Sequence, residues 1–240
     1  MGNWAEEIAI EDAKLKSFQK RSQSGSLSLR KQEVKLTMCN EIVPHSFSAD
    51  GTVRFGDTIV LQHDSTGTIL ANDPFEDLVQ GQHKYLVTGA IQPVDVPRAR
   101  STFRIMRPPS ALKNFDDDES EPLLKVGQPF CLGCNESLLV TPGSNILAPT
   151  LFLASTKKNE RTATRNTNRQ MVYMSPKNDA ETVWIAIKPS QGRTNASERF
   201  LAMGFALNIA DCFQITHRQT SMYLTCDHKN RRYYIHLHTK

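Results

Sequence analysis

Cys131 and Cys134 stand in the run Cys-Leu-Gly-Cys, a spacing that can hold zinc as thiolates or exchange disulfides, and Cys226 with His228 could complete a tetrahedral set. The surroundings argue against both chemistries. A structural zinc site asks for a second closely spaced pair of strong ligands, whereas Cys131 alternates with Phe130 and Leu132 in a strand-like run, where small buried cysteines are common. Thiol exchange of the thioredoxin kind needs a strand that leads into a helix, and no helical period follows. His236 and His238 fall on one face of a strand without a third ligand. No Gly-rich phosphate loop, H-E-x-x-H pair, nucleophile elbow or kinase signature occurs, and no local Ser, His and Asp arrangement marks a nucleophile with its base. The expectation is therefore a protein that is not an enzyme, with no catalytic residue, no cofactor and no metal.

Charge gives more. Lys157, Lys158, Arg161, Arg165 and Arg169 make a basic loop rich in Asn and Thr, Asp116 to Glu121 an acidic one, and Lys229 to Arg232 reads as a hairpin tip. Across the 240 residues, 29 Lys and Arg face 25 Asp and Glu, a net charge of +4. That excess favours acidic protein surfaces and falls short of a dedicated nucleic-acid binder. No run approaches the roughly 18 apolar residues of a membrane span, and the start lacks the features of a secretory signal, so the reading is an intracellular chain that binds neither nucleic acid nor membrane. Five cysteines, an odd number, fit reduced thiols better than a disulfide framework.

The elements that would position such groups fall into two parts. Residues 1–48 read as an N-terminal helix and extended arm: Asn3 and Glu6 approach a capping box, Trp4, Ile8, Leu15 and Phe18 recur at helical spacing, and Ser22 to Ser28 ends the helix. From there to Ser48 the chain is polar, with Val34, Leu36 and Met38 as one short alternating run. Residues 49–240 carry short runs rich in β-branched and aromatic residues between Gly, Pro, Asn and Asp clusters, the pattern of an all-β body. Leu138 to Val140 is one of these expected strands. Three stretches share one shape: Gly56 to His63, Gly127 to Gly133, and Ala210 to His217, each followed by a second strand. A threefold set of hairpins closed on itself removes sheet edges, which points to a β-trefoil ahead of a sandwich or another barrel. Gln62, Gly133 and His217 then take comparable places with different chemistry, so no ligand constellation repeats.

Gly2-Asn3-Trp4 with the following acidic pair, Leu15, Phe18, Lys20-Arg21 and Gly25-Ser26-Leu27 resembles the start of the cilia- and flagella-associated protein 161 family. Gly56 to Leu61, Arg100 to Ile105 and Val126 to Gly133 resemble the same family in order and spacing, the last being the most specific. The likeness thins beyond Ala154. The resemblance implies a MIR-like β-trefoil with an N-terminal arm, acting as a non-enzymatic microtubule inner protein of the cilium or flagellum axoneme. It would bind the α/β-tubulin lattice in the lumen of the A-tubule of doublet microtubules, near the seam and beside other inner proteins, and stabilise the doublet for ciliary movement. Partner-binding candidates are Trp4, Ile8, Leu15 and Phe18, as a stripe that docks on a partner or folds back on the body, and Lys157, Lys158, Arg161 and Arg165. The alternative function is a β-trefoil ligand-binding module for a carbohydrate or an acidic ligand.

Overall fold

Thr58–Val60 (β1) and Thr102–Met106 (β4), runs of β-branched and aromatic residues suited to extended backbone, pair antiparallel. The same unit recurs with Pro129–Cys134 (β5) and Trp184–Ile187 (β8), and its first strand recurs once more as Gln214–His217 (β9). These strands form one antiparallel ladder in the order β1, β4, β5, β8, β9. The hairpins between them are Ile69–Val79 with Lys84–Ala90 (β2, β3), Phe152–Ser155 with Gln170–Ser175 (β6, β7), and Tyr223–Lys229 with Arg232–His238 (β10, β11). One strand of each, β3, β7 and β11, pairs with the other two, so the hairpins meet around a common axis. This computed structural model describes residues 4–24, 27–79, 81–112, 120–140, 147–159, 169–189, 196–229 and 232–238. The body is a β-trefoil.

Register makes the three repeats superimposable. Ile59 lies opposite Phe103 as Phe130 lies opposite Trp184, and Phe103 lies opposite Cys134 as Trp184 lies opposite His217. His63, Cys134 and His217 are thus the equivalent residues, which corrects the grouping of Gln62 and Gly133 with His217. The slip is one residue, enough to turn a strand position to the opposite face. Gly56 and Gly127 open the first two units at φ +97° and +84°, a conformation that L side chains rarely adopt.

The core lies between ladder and hairpins. Phe103, Ile105, Leu132, Leu153, Met174 and Trp184 are all buried there, and the Trp184 indole N–H donates to the Leu153 carbonyl at 2.8 Å. Leu138 to Val140 is not a strand. The Asn135 carboxamide oxygen accepts from the Ser137 N–H at 2.9 Å and caps a 3-10 turn over Glu136–Leu139, ending the extended run.

The arm differs in one element from the sequence expectation. Trp4–Gln23 is a helix (α1) with Glu6 and Glu7 in its first turn and Lys20 and Arg21 in its last, each sign set against the helix dipole; Asn3 lies outside the described residues. Ser28–Asn40 is a second helix (α2) where extended chain was expected, and only 41–48 is extended. The alternation of Val34, Leu36 and Met38 has no buried face to serve, since Val34 and Leu36 are exposed, and the Arg, Lys, Gln and Glu around them favour helix. Cys39 and Val43 pack with Ala99 and Leu138 in a small separate cluster, and Val43 N–H and Ala99 N–H exchange hydrogen bonds with the Pro97 and Glu41 carbonyls. That cluster ties the arm to the body. A short helix, Ala196–Ala202 (α3), precedes β9.

Candidate functional site

Trp4, Ile8, Leu15 and Phe18 lie on one face of α1, because their spacings of four, seven and three residues return close to the same side of a 3.6-residue helix. All four are exposed, from 52% for Phe18 to 77% for Trp4. The stripe therefore does not fold back on the trefoil. Helix α1 meets the rest of the arm through Arg30, whose guanidinium donates to the Ser22 carbonyl at 2.8 Å. Lys157 and Lys158 follow β6 and are exposed, while Arg161 and Arg165 lie outside the described residues. Of the acidic run, Asp116 to Glu119 also lies outside them, and Glu121 pairs with Lys125. Lys229 and Arg232 face each other at the closed end of the β10–β11 hairpin, as a tip should.

The cysteine pair is structural. Cys131 packs with Phe152 and Val183, Cys134 sits in the main core, and burial pushes both thiols up to about 11, far from a thiolate at neutral pH. Cys226 is buried too, and its sulfur accepts from the Thr68 hydroxyl at 3.2 Å. Among the described residues no group of three His, Cys, Asp or Glu is placed to hold a metal.

A device that sequence reading passed over repeats at the start of two hairpins. In the first repeat His63 Nδ1 meets the Thr66 hydroxyl at 2.8 Å, and in the third His217 Nδ1 meets the Thr220 hydroxyl at 2.9 Å. In both, the residue after the Thr donates its N–H to the His carbonyl at 2.8 Å from a positive φ, as Gly67 and Ser221. The signal was present as His-x-x-Thr followed by a small residue. The second repeat has Cys134 in place of the His and lacks the device. His217 is fully buried: its Nε2 donates to the Glu181 carbonyl at 3.0 Å, so Nδ1 accepts, and its ring lies 5.0 Å from that of Trp184. Desolvation lowers its pKa against an opposing pull from Glu181. His63 is only half-buried, and desolvation lowers its pKa as well, opposed by Asp64.

Two concavities flank the hairpins. A cleft of about 610 Å³ runs between β1 and β9, with His63, Thr68 and Leu70 on one side, Phe213 and Ile215 on the other, and Cys226 in its floor. A smaller one of about 350 Å³ has a mostly apolar wall, Phe75, Tyr85, Leu139 and Pro149 among its residues, with His83 at φ +51° on its margin. At the larger one His63 Nδ1 stands 2.8 Å from the Thr66 hydroxyl and 3.5 Å from that of Ser65, so its ring serves the turn that opens the hairpin. The larger cleft is lined by polar and apolar groups in nearly equal share, among them Gln62, Asp64, Asp211 and Gln214, whereas the smaller is mostly apolar, the makeup of a small-molecule binding site.

No family model matches the chain, and no curated protein matches it. Solved structures do. The SDF2-like protein from Arabidopsis thaliana is similar at 16% identity and a TM-score of 0.53, over 78% of this chain and 88% of that one. A Caenorhabditis elegans protein of unknown function is similar at 17% identity and a TM-score of 0.52, over 80% and 91%. The S. cerevisiae protein O-mannosyltransferase complex, bound to the sugar donor, is similar at 15% identity and a TM-score of 0.53, over 83% of this chain and 25% of that one. At these identities the likeness is one of fold. The chain has an all-β, MIR-like β-trefoil body with a helical N-terminal arm.

Proposed function

We propose that this protein is a non-catalytic binding module, in which the helical arm docks on a partner and the trefoil is the body held in place. The observation that carries this is the apolar row Trp4, Ile8, Leu15 and Phe18, exposed along one face of α1. A helix face of that kind has the form of an anchor for a hydrophobic groove, and aromatic anchors dominate interface energies. The partner is the α/β-tubulin lattice inside the A-tubule of ciliary doublets, together with neighbouring inner proteins. This setting is supported by the family resemblance of the arm and of Gly56 to Leu61, Arg100 to Ile105 and Val126 to Gly133. Modest affinity per copy suffices on a lattice, because tethered neighbours raise the effective concentration without any new contact. Lys157 and Lys158 add positive charge toward an acidic wall.

The test is a tagged protein in a ciliated cell, followed through demembranation and graded salt. Retention with doublets under salt that strips their outer surface, with release only as the doublets come apart, is expected. Release with the detergent-soluble matrix, or absence from cilia, rejects the setting.

The fold of the SDF2-like protein and of the mannosyltransferase complex favours a second reading, a trefoil that holds a carbohydrate or acidic ligand in one of its clefts. A glycan array probed with the whole chain decides it: saturable binding to one glycan class supports this reading, and an empty array removes the carbohydrate.

A further inference from the structure

We propose that Cys226 is a peroxide-sensitive thiol, coupled to His63 as its proton acceptor through the hydroxyls of Thr66 and Thr68 at the cleft between β1 and β9. This thiol lies in the body, so its chemistry is independent of where the arm docks and of which ligand either concavity holds.

Four side chains form one continuous chain of hydrogen bonds. His63 Nδ1 lies 2.8 Å from the Thr66 hydroxyl, Thr66 Oγ1 lies 2.7 Å from Thr68 Oγ1, and the Thr68 hydroxyl donates to Cys226 Sγ at 3.2 Å. The last link joins residues 158 apart in sequence, so closure of the trefoil, not the local turn, completes the chain. His63, Thr68 and Cys226 all line the 610 Å³ cleft, which brings the sulfur and the base to one opening. With Thr68 donating to sulfur, Thr66 donates to Thr68 and Nδ1–H to Thr66, the direction that holds a thiolate. Reversed, the chain carries the S–H proton to Nδ1 in one concerted shift.

Two comparisons within the molecule set this chain apart. In the third repeat the same contact of His with Thr ends at Thr220: Met222 stands where Thr68 does, five residues after the histidine, and His217 Nε2 is tied to the Glu181 carbonyl. His63 is half-buried, and its Nε2 has no partner among the described residues, so its ring exchanges protons with water. The other buried thiols keep their protons. Cys131 Sγ donates to Asn178 Oδ1 at 3.7 Å, and burial pushes Cys39, Cys131 and Cys134 up to about 11. Among the described residues Cys226 is the one thiol joined to a histidine.

A thiolate is the nucleophile in thiol oxidation. Cys226 is 7% exposed in the floor of a cleft with Gln62 and Gln214 on its walls, access that suits a small hydrophilic oxidant of the hydroperoxide class. The sulfur attacks one peroxide oxygen, an S–O bond forms as the O–O bond breaks, and the leaving hydroxide takes the proton held at Nδ1 and departs as water. Sulfur loses two electrons to become the sulfenic acid, and the peroxide is reduced by them.

The test exposes the full chain to hydrogen peroxide at pH 7, quenches with catalase, and counts the thiol left at each cysteine by alkylation in denaturant and peptide mass. Exposed Cys212 is the internal reference, an ordinary thiol that is a few per cent thiolate at that pH. Cys226 should be consumed several-fold faster than Cys212, with Cys39, Cys131 and Cys134 spared. T68V keeps the shape of the side chain and removes its hydroxyl, and it should slow Cys226 by about tenfold or more while leaving Cys212 unchanged. T68S, which restores the hydroxyl, should react as the native chain does. A packing role for Thr68 predicts the reverse order, since valine keeps both branches and serine loses one. T66V cuts the chain one link further from sulfur and should match T68V; if thermal melting shows T68V unfolded, T66V decides. Consumption of Cys226 no faster than Cys212, native rates in the valine variants, or T68S as slow as T68V overturns the proposal.

Discussion

His217 shows what a single buried polar side chain does here. Nε2 donates to the Glu181 carbonyl, Nδ1 accepts from the Thr220 hydroxyl, and the ring packs on Trp184, so neutral imidazole satisfies every partner, whereas imidazolium would bury a charge and need the Thr220 hydroxyl to turn and accept. Burial depresses its pKa below the ordinary value of about 6.5. The unfolded chain therefore takes up a proton at His217 before the folded one does. Its contribution to stability is full above pH ~6.5 and is lost as pH falls from there toward the folded value. Thermal midpoints measured between pH 7.5 and 5.5 should fall for the native chain, and H217Q, which cannot titrate, should start lower and lose less over the same interval. An identical slope in both proteins would show that His217 does not take part. At pH 7.5 H217A should cost about 2–4 kcal/mol by denaturant titration, because it strands a buried carbonyl and opens space beside Trp184.

At the scale of elements, α1 reaches the body through α2 and the Cys39, Val43, Ala99 and Leu138 cluster while its own apolar face stays exposed, and that separation makes its role testable. W4A should move the unfolding free energy by less than about 0.5 kcal/mol, since Trp4 is exposed, while lowering incorporation into doublets several-fold in the tagged-cell assay. Wild-type incorporation of W4A would discard the anchor. V43D should do the reverse in solution, costing about 2 kcal/mol or more by setting a charge into the small cluster. The elements also mark how far the sequence could be read. The strand units beginning at Gly56, Gly127 and Ala210 were legible because short runs of β-branched, aromatic and other apolar residues follow a turn-forming Gly or Asp in each. Helix α2 was not, because Val34 and Leu36 bury nothing and their alternation is accidental. The false strand at Leu138 to Val140 has a local cause, the Asn135 cap, which apolar pattern cannot reveal. The cleft was invisible for another reason: it arises from closure, from how β1 and β9 come to face each other across more than 150 residues of chain.

For the whole molecule, the unevenly closed ring predicts an uneven distribution of stability. Strands β4, β5 and β8 have hydrogen-bonded neighbours on both sides, and their Phe103, Ile105, Phe130, Leu132 and Trp184 belong to the main core, so the amides there should exchange only through global unfolding. β1 and β9 each turn one side to the cleft, with Ile59, Leu61 and Phe213 only partly covered, so exchange there needs no more than local opening. Native-state hydrogen exchange in low denaturant should therefore separate two classes. Amides of Phe103, Leu132 and Ala186 should report the full unfolding free energy with its denaturant slope, whereas Val60 and Ile215 should exchange by a route several kcal/mol lower and nearly independent of denaturant. If Val60 and Ile215 exchange as slowly as Leu132, the two sides of the cleft are held as firmly as the centre of the ladder and the uneven distribution is rejected.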